Sequence, residues 1–271
     1  MGSPSMGSMQ IRFRPRLLVL IAAFLLGIVF VAGTLAWFFA LPLEARYWAR
    51  QVPILEQTPS PVRDSSYTES AGRRIGFCGS TFEVPWGDLD DAKTKTGGNS
   101  TTIFFDSGLV ALLKCQPPRE FVDGVLSSTK WRSESLRRAF GDSVVESDYA
   151  LTRFMLETKP MSFRTPHGRQ GPLMAMLVLK AMATPPADSG IFALHTDGFD
   201  GFQYQDPQSK PKSILMDLFA DDRGVEFQFF LNYQGASPHV SQADINRIVR
   251  TIRKVSPYSS VKQASLKPLH N

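Results

Sequence analysis

The chain has 271 residues, a net charge of +5 and 43% hydrophobic residues, with twenty Phe among them. That is enough apolar mass for one folded core, and the charge is too dispersed for a nucleic-acid footprint, which needs basic residues gathered on one face. Three of the positive charges, Arg12, Arg14 and Arg16, precede residue 17, so the remainder is close to +2.

Residues 17–43, LLVLIAAFLLGIVFVAGTLAWFFALPL, carry no charge, and Pro42 is the only strong helix breaker. About 20 apolar residues span the hydrocarbon of a bilayer, and backbone in lipid must satisfy its own hydrogen bonds. The run therefore predicts a tilted transmembrane helix whose partner is the lipid bilayer. The arginines lie on its N-terminal side, and Glu44, Arg46, Arg50 and Glu56 give the far side a mixed charge. Positive charge stays cytoplasmic. The expected location is the cell inner (plasma) membrane, single-pass, with the N-terminus cytoplasmic and the C-terminal domain extracytoplasmic. Trp37, Tyr47 and Trp48 suit the outer interface. The rival is a cleaved signal peptide ending at Thr34-Leu35-Ala36, but such h-regions hold only about 7–15 residues. Ala32, Ala36 and Ala40 lie four apart, as on helix-packing faces, so an oligomerising structural membrane protein is one reading.

Composition divides the chain into a cytoplasmic N-terminus (1–16), the transmembrane helix (17–43), a Pro/Ser-rich stalk (44–74), an α+β globular domain (75–256) and a tail (257–271). Pro53, Pro59 and Pro61, with Ser60, Ser65, Ser66 and Ser70, leave the stalk little capacity for a core. Residues 75–86 read as the first strand, stopped by Pro85. Residues 88–100 read as a polar loop with Gly97-Gly98-Asn99 as turn chemistry. Asp106-Ser107-Gly108 joins strands 101–105 and 109–115 as a hairpin. Ser133 and Ser147 are N-caps of two short helices, the second ending at Lys159-Pro160. Residues 163–172 form a polar loop, and 173–183 a buried helix interrupted by Lys180. Strands follow at 191–195, 199–205, 213–220 and 225–231, the last two joined through Asp221-Asp222-Arg223-Gly224. Ser241 with Asp244 forms a capping-box variant, and Ile245, Ile248, Val249, Ile252 and Val255 make the apolar stripe of a closing helix. The fold class expected is α+β: an N-terminal transmembrane helix plus one antiparallel-sheet domain with packed helices, including a C-terminal helix.

Gly201-Phe202-Gln203-Tyr204, the strand pair around Asp222-Arg223-Gly224, and the 241–255 helix together resemble the PsbP-like α+β sandwich. The resemblance covers about two-thirds of the domain and implies a non-catalytic, extracytoplasmic accessory role. The membrane anchor and the nearly apolar 173–183 helix depart from that pattern.

Few residues point to chemistry. Cys78 and Cys115 would meet an oxidising space, where disulfides persist. A bridge would close a loop of some three dozen residues; two buried thiols are the alternative. His195, followed by Asp197 and Asp200, could hold a metal or exchange protons, although Asp197-Gly198 and Asp200-Gly201 are also ordinary turn dipeptides. Asp88, Asp90 and Asp91 fail the EF-hand pattern at Ala92 and Lys93, which leaves a solvated acidic turn. The Arg164–His167–Arg169 loop could take an anion or a partner. There is no nucleophile elbow, no H-E-x-x-H and no phosphate loop, so no cofactor or catalytic residue is assigned. The leading expectation is a membrane-anchored extracytoplasmic binding or accessory module with an envelope protein as partner. The alternative is an envelope hydrolase with a motif-free site near His195 and Asp197.

Overall fold

The computed structural model describes residues 15–62, 72–128, 133–160, 170–185, 190–209, 212–221, 223–231 and 240–255. The first element is one long helix, α1 (Pro15–Gln51). Its described side chains are those of residues 24–35 and 43–51. Phe24, Leu26, Val29 and Phe30 are all at least two-thirds exposed. Among the described residues no helix is long and apolar enough to cross a membrane. The other end of the same helix is inside the fold. Ala45 and Ala49, four residues apart on one helical face, are buried against the helical layer.

The expected stalk is therefore partly built into the fold. After α1 a single 3₁₀ turn, Pro53–Glu56, buries Ile54 and Leu55. Two residues then form a strand, β1 (Ser60–Pro61), parallel to the domain's sheet. The composition of 44–62 is loop-like, but four well-placed apolar side chains suffice to dock it.

The expected first strand is a hairpin, β2 (Arg73–Phe77) and β3 (Ser80–Val84). Cys78 and Gly79 turn it with φ of 52° and 64°. Positive φ at both central residues is the type I′ geometry that matches strand twist. The expected polar loop at 88–100 is instead β4 (Leu89–Gly97), polar because most of it is exposed at the edge of a sheet. β5 (Ser100–Phe105) and β6 (Val110–Gln116) form the anticipated hairpin. Helix α2 (Glu120–Ser128) was not legible as a helix. Then come α3 (Ser133–Phe140), α4 (Asp148–Glu157) and α5 (Gln170–Ala183). Ser147 caps α4 by accepting from the Ala150 amide. The last strands are β7 (Ile191–Thr196), β8 (Phe199–Tyr204), β9 (Ser213–Ala220) and β10 (Arg223–Phe230).

The closing helix α6 (Gln242–Thr251) carries a full capping box between Ser241 and Asp244. It ends sooner than its apolar stripe predicts. Ile252 is extended, and Arg253–Lys254 form β11, paired to β3. The strand pairing there satisfies backbone groups that a longer helix would leave to water.

An eight-stranded sheet runs β1-β7-β8-β9-β10-β6-β5-β4, antiparallel apart from β1 on β7; a three-stranded sheet runs β11-β3-β2. Side chains alternate across a strand, so each sheet face gathers its own set. One face, with Ile103, Leu113, Met216 and Phe227, packs against Phe82 of the small sheet and Ile245 and Ile248 of α6. The other, with Phe202 and Tyr204, packs under α2, α4, α5 and the base of α1. The result is a mixed α+β fold with two cores, one on each side of the large sheet.

Candidate functional site

The β7–β8 hairpin turns through Asp197-Gly198, with Gly198 at φ 101°. Register then sets His195 directly opposite Asp200. Imidazole Nδ1 lies 2.5 Å from a carboxylate oxygen of Asp200. Asp197 sits in the turn itself, so of the two acids near His195 the fold pairs it with Asp200. The His195 side chain is 86% exposed.

This pair forms one wall of a cleft of about 370 Å³, shared with Arg119, Ser147, Asp148 and Tyr149. Most of the polar groups in the cleft are already engaged in holding the scaffold. Arg119 Nη1 donates to the carbonyls of Val145 (2.9 Å) and Glu146 (3.0 Å). Ser147 Oγ is occupied as the α4 cap. Asp148 accepts from the Val122 amide at 2.9 Å, which ties α4 to the start of α2. Burial pushes the Asp148 carboxyl up, and the Val122 and Phe121 amides oppose the shift. The Tyr149 ring stacks on Phe202 with centroids 5.5 Å apart. Burial raises its phenol, and the charge of Asp200 raises it further.

What the cleft offers a ligand is a carboxylate-oriented imidazole at an open rim. A general base needs a proton-bearing nucleophile within about 2.6–3.2 Å. Ser147, the hydroxyl nearest in kind, is spent on its cap. Among the described residues no group of three or more His, Cys, Asp or Glu side chains could hold a metal ion.

The other residues singled out by sequence fall in three places. Cys78 and Cys115 are joined as a disulfide, with Cα atoms 5.5 Å apart, and the bond ties the small sheet to β6 of the large one. Asp88, Asp90 and Asp91 are distributed over separate tasks. Asp88 accepts from the Ser107 amide, Asp90 pairs with Lys93 and Asp91 with Arg73. The side-chain hydrogen bond from Lys93 holds the Asp90 carboxyl below its ordinary range. Arg164, His167 and Arg169 lie outside the described residues.

Two polar groups, one fully and one partly buried, were not anticipated as features. Lys180, on α5, is fully buried. Its Nζ, with three N–H groups, lies within hydrogen-bond reach of four carbonyls, those of Gln57 (2.5 Å), Leu156 (2.7 Å), Thr158 (3.0 Å) and Leu55 (3.3 Å). Burial pushes it down to about 8, with the charge of Lys159 adding to the shift and Glu56 opposing it. The signal was present in the sequence: one lysine in an otherwise apolar helix. Asp217 is the second. On β9, Ile214, Met216 and Leu218 fill one core, while Leu215 and Phe219 pack on the other. Asp217 is the one acid on the latter face of that strand, opposite Glu226 on β10 and bonded by the Tyr204 hydroxyl. Burial pushes its carboxyl up to about 7, Glu226 adds to that, and the hydroxyl and Lys114 oppose it. The same burial raises Tyr204 well above its ordinary value.

No family model, curated protein or solved structure matches the chain.

Proposed function

We propose that the chain is a single-pass protein of the cell inner membrane whose α+β domain, held outside the cytoplasm, serves as a binding or accessory module for another envelope protein. The observation that carries this is the two-part character of α1. Its described apolar side chains from Phe24 to Leu35 are exposed and belong to neither described core, while Ala45 and Ala49 of the same helix are buried in the domain. Exposed apolar surface on that scale is unfavourable in water and ordinary in hydrocarbon. The uncharged sequence of 17–43 and the arginines before it supply the span and the orientation. The disulfide fits an oxidising compartment. The PsbP-like ordering of strands and closing helix belongs to the same proposal, as does the absence of a catalytic assignment.

The test is topological. A phosphatase fused after Asn271 should be active, a fluorescent protein at the same place dark, and the chain should resist alkaline carbonate extraction. A fluorescent C-terminus, or extraction into the carbonate supernatant, refutes the reading. The His195–Asp200 hydrogen bond favours one second reading, a hydrolase acting at that rim. Ester or phosphoester turnover that disappears in His195→Gln would establish it; equal turnover in both would remove it.

A further inference from the structure

Among the described residues every strand edge is guarded except one. A bare edge presents a row of unpaired N–H and C=O groups, and folded proteins shield such edges with short strands, proline, bulges or lysine. The β7 edge of the large sheet is covered by β1, only two residues long and ending in Pro61. The opposite edge, β4, is broken by a bulge between Asp90 and Lys95 and carries the exposed Lys93 and Lys95. In the small sheet, β11 is again two residues. That leaves β2. It has five residues, no proline, and an unbroken register with β3.

The chemistry of that edge follows from the turn. A two-residue type I′ hairpin closes on a hydrogen-bonded pair, here Phe77 and Ser80. Antiparallel pairs alternate, so Arg73, Ile75 and Phe77 direct their backbone groups toward β3. Arg74 and Gly76 direct theirs the other way, into a groove of about 580 Å³ between β2 and the β4–β5 hairpin. Ile75, Phe77, Leu89 and Ile103 give the groove an apolar lining. The Cys78–Cys115 disulfide lies in it and fixes the β2–β3 hairpin against the large sheet. At one end Arg73 reaches Asp91 across the slot, and the Arg74 side chain is 71% exposed at the rim.

We propose that β2 is a strand-addition site, and that its occupant is an extended segment of a partner protein with apolar residues at alternate positions and an acidic residue beside Arg74. Only an extended chain brings donors and acceptors at the two-residue spacing that Arg74 and Gly76 present. Alternate side chains of such a segment fall toward Ile75 and Phe77. The Arg74 guanidinium meets Glu83 at 3.2 Å yet stays exposed, so its outer N–H groups favour an acid at the rim. The inference rests on the binding-module reading and supplies its site and partner class.

The experiment uses the full chain in detergent micelles, panned against a displayed library of random heptapeptides. A fluorescein-labelled copy of the most enriched sequence is then titrated, and backbone exchange is followed with and without it. The expected result is enrichment of alternating apolar sequences containing Asp or Glu, with slowed exchange at the Arg74 and Gly76 amides. Gly76→Pro removes one outward N–H and leaves the β3 pairing intact; a Cβ there meets nothing within 4 Å. It should weaken binding at least tenfold. Arg74→Glu should weaken it at least threefold and abolish its salt dependence, and it stands as the test if the proline variant does not fold. No enriched peptide, protection mapped to the His195 cleft instead, or an unchanged Kd in both variants overturns the proposal. If the chain remains membrane-bound and outward-facing while any of these occurs, the slot fails alone. Loss of that topology would instead count against the reading beneath it.

Discussion

Replacing Lys180 with Met tests the most unusual contact in the fold. Methionine keeps the length and volume of the side chain and removes the ammonium. Two effects then oppose each other. Burial lowers the lysine from 10.5 to about 8, so holding the charge inside at neutral pH costs about 3 kcal/mol, and Lys180→Met removes that cost. Against this, the carbonyls of Leu55, Gln57, Leu156 and Thr158 lose their donor while staying inside the fold. Each orphaned group costs about 1–3 kcal/mol. Over four carbonyls the second effect is about 4–12 kcal/mol, larger than the first, so the net should be a loss of at least about 1 kcal/mol. The sign of the pH dependence is also fixed. Between about 8 and 10.5 the unfolded lysine holds a proton that the native one has released, so wild-type stability gains from this group as pH rises, by at most about 1.4 kcal/mol per unit. Lys180→Met lacks that gain. Urea unfolding of both chains in micelles, followed by the fluorescence of the buried Trp86, should show a gap that widens from pH 8 to 10. A variant as stable as wild type, or a gap constant over that range, would refute the reasoning.

Asp217 titrates with the opposite sign. Its native carboxyl stays protonated to about 7, against 3.8 in the unfolded chain, so stability is complete below about pH 4 and falls as pH rises toward 7. Asp217→Asn should match wild type at pH 4 and exceed it at pH 8 by up to about 4 kcal/mol; equal urea midpoints at pH 8 would contradict this. Replacing Cys78 and Cys115 by Ser opens a loop with a sequence separation of 37 and should cost about 4 kcal/mol by chain entropy, measured in the same urea titration. Ser241→Ala removes half of the α6 capping box and should cost about 1 kcal/mol, seen as a few degrees of Tm; an unchanged Tm would mean the cap is idle.

The parts of this fold that were legible in the sequence are those whose signal is local. Turn residues at 106–108 and the Ser147 and Ser241 caps set their elements by near neighbours, and the structure has them; the expected β9–β10 hairpin is there too, with Arg223 and Gly224 already in the strand pairing. The unreadable parts depend on distant partners. β4 is polar because its position at the sheet edge exposes it, and an exposed strand looks like a loop in one dimension. Cys78-Gly79 was hidden because a cysteine rarely takes φ above zero; here the hairpin register and the bond to Cys115 hold it there. Arg253–Lys254 carry on a helical pattern, yet pairing with Ser80 and Thr81 takes them. At the candidate site, His195 and its acids were visible as residues. Which acid faces the imidazole depends on hairpin register, which chose Asp200 over Asp197. Lys180 and Asp217 were visible as misfits in apolar runs, but their partners come from segments that sequence spacing does not bring together.

The join between α1 and the domain bears on how such a module would work. A flexible linker of some 30 residues wanders over roughly 30 Å, so its cargo meets a membrane partner at any height and angle. Here the chain after residue 44 is fastened three times in succession. Ala45 and Ala49 pack as a helix face, Lys180 draws in the carbonyls of Leu55 and Gln57, and β1 pairs with β7. The three attachments differ in kind, through packing, charge and backbone pairing, so no single perturbation releases them all. On the proposed anchoring, the domain then keeps one height and one rotation about α1, and the β2 edge faces one direction relative to the bilayer. A strand donated to that edge must arrive from a partner fixed in the same frame. This favours a second envelope protein over a freely diffusing peptide, because the rigid join pre-pays the orientation that docking would otherwise cost.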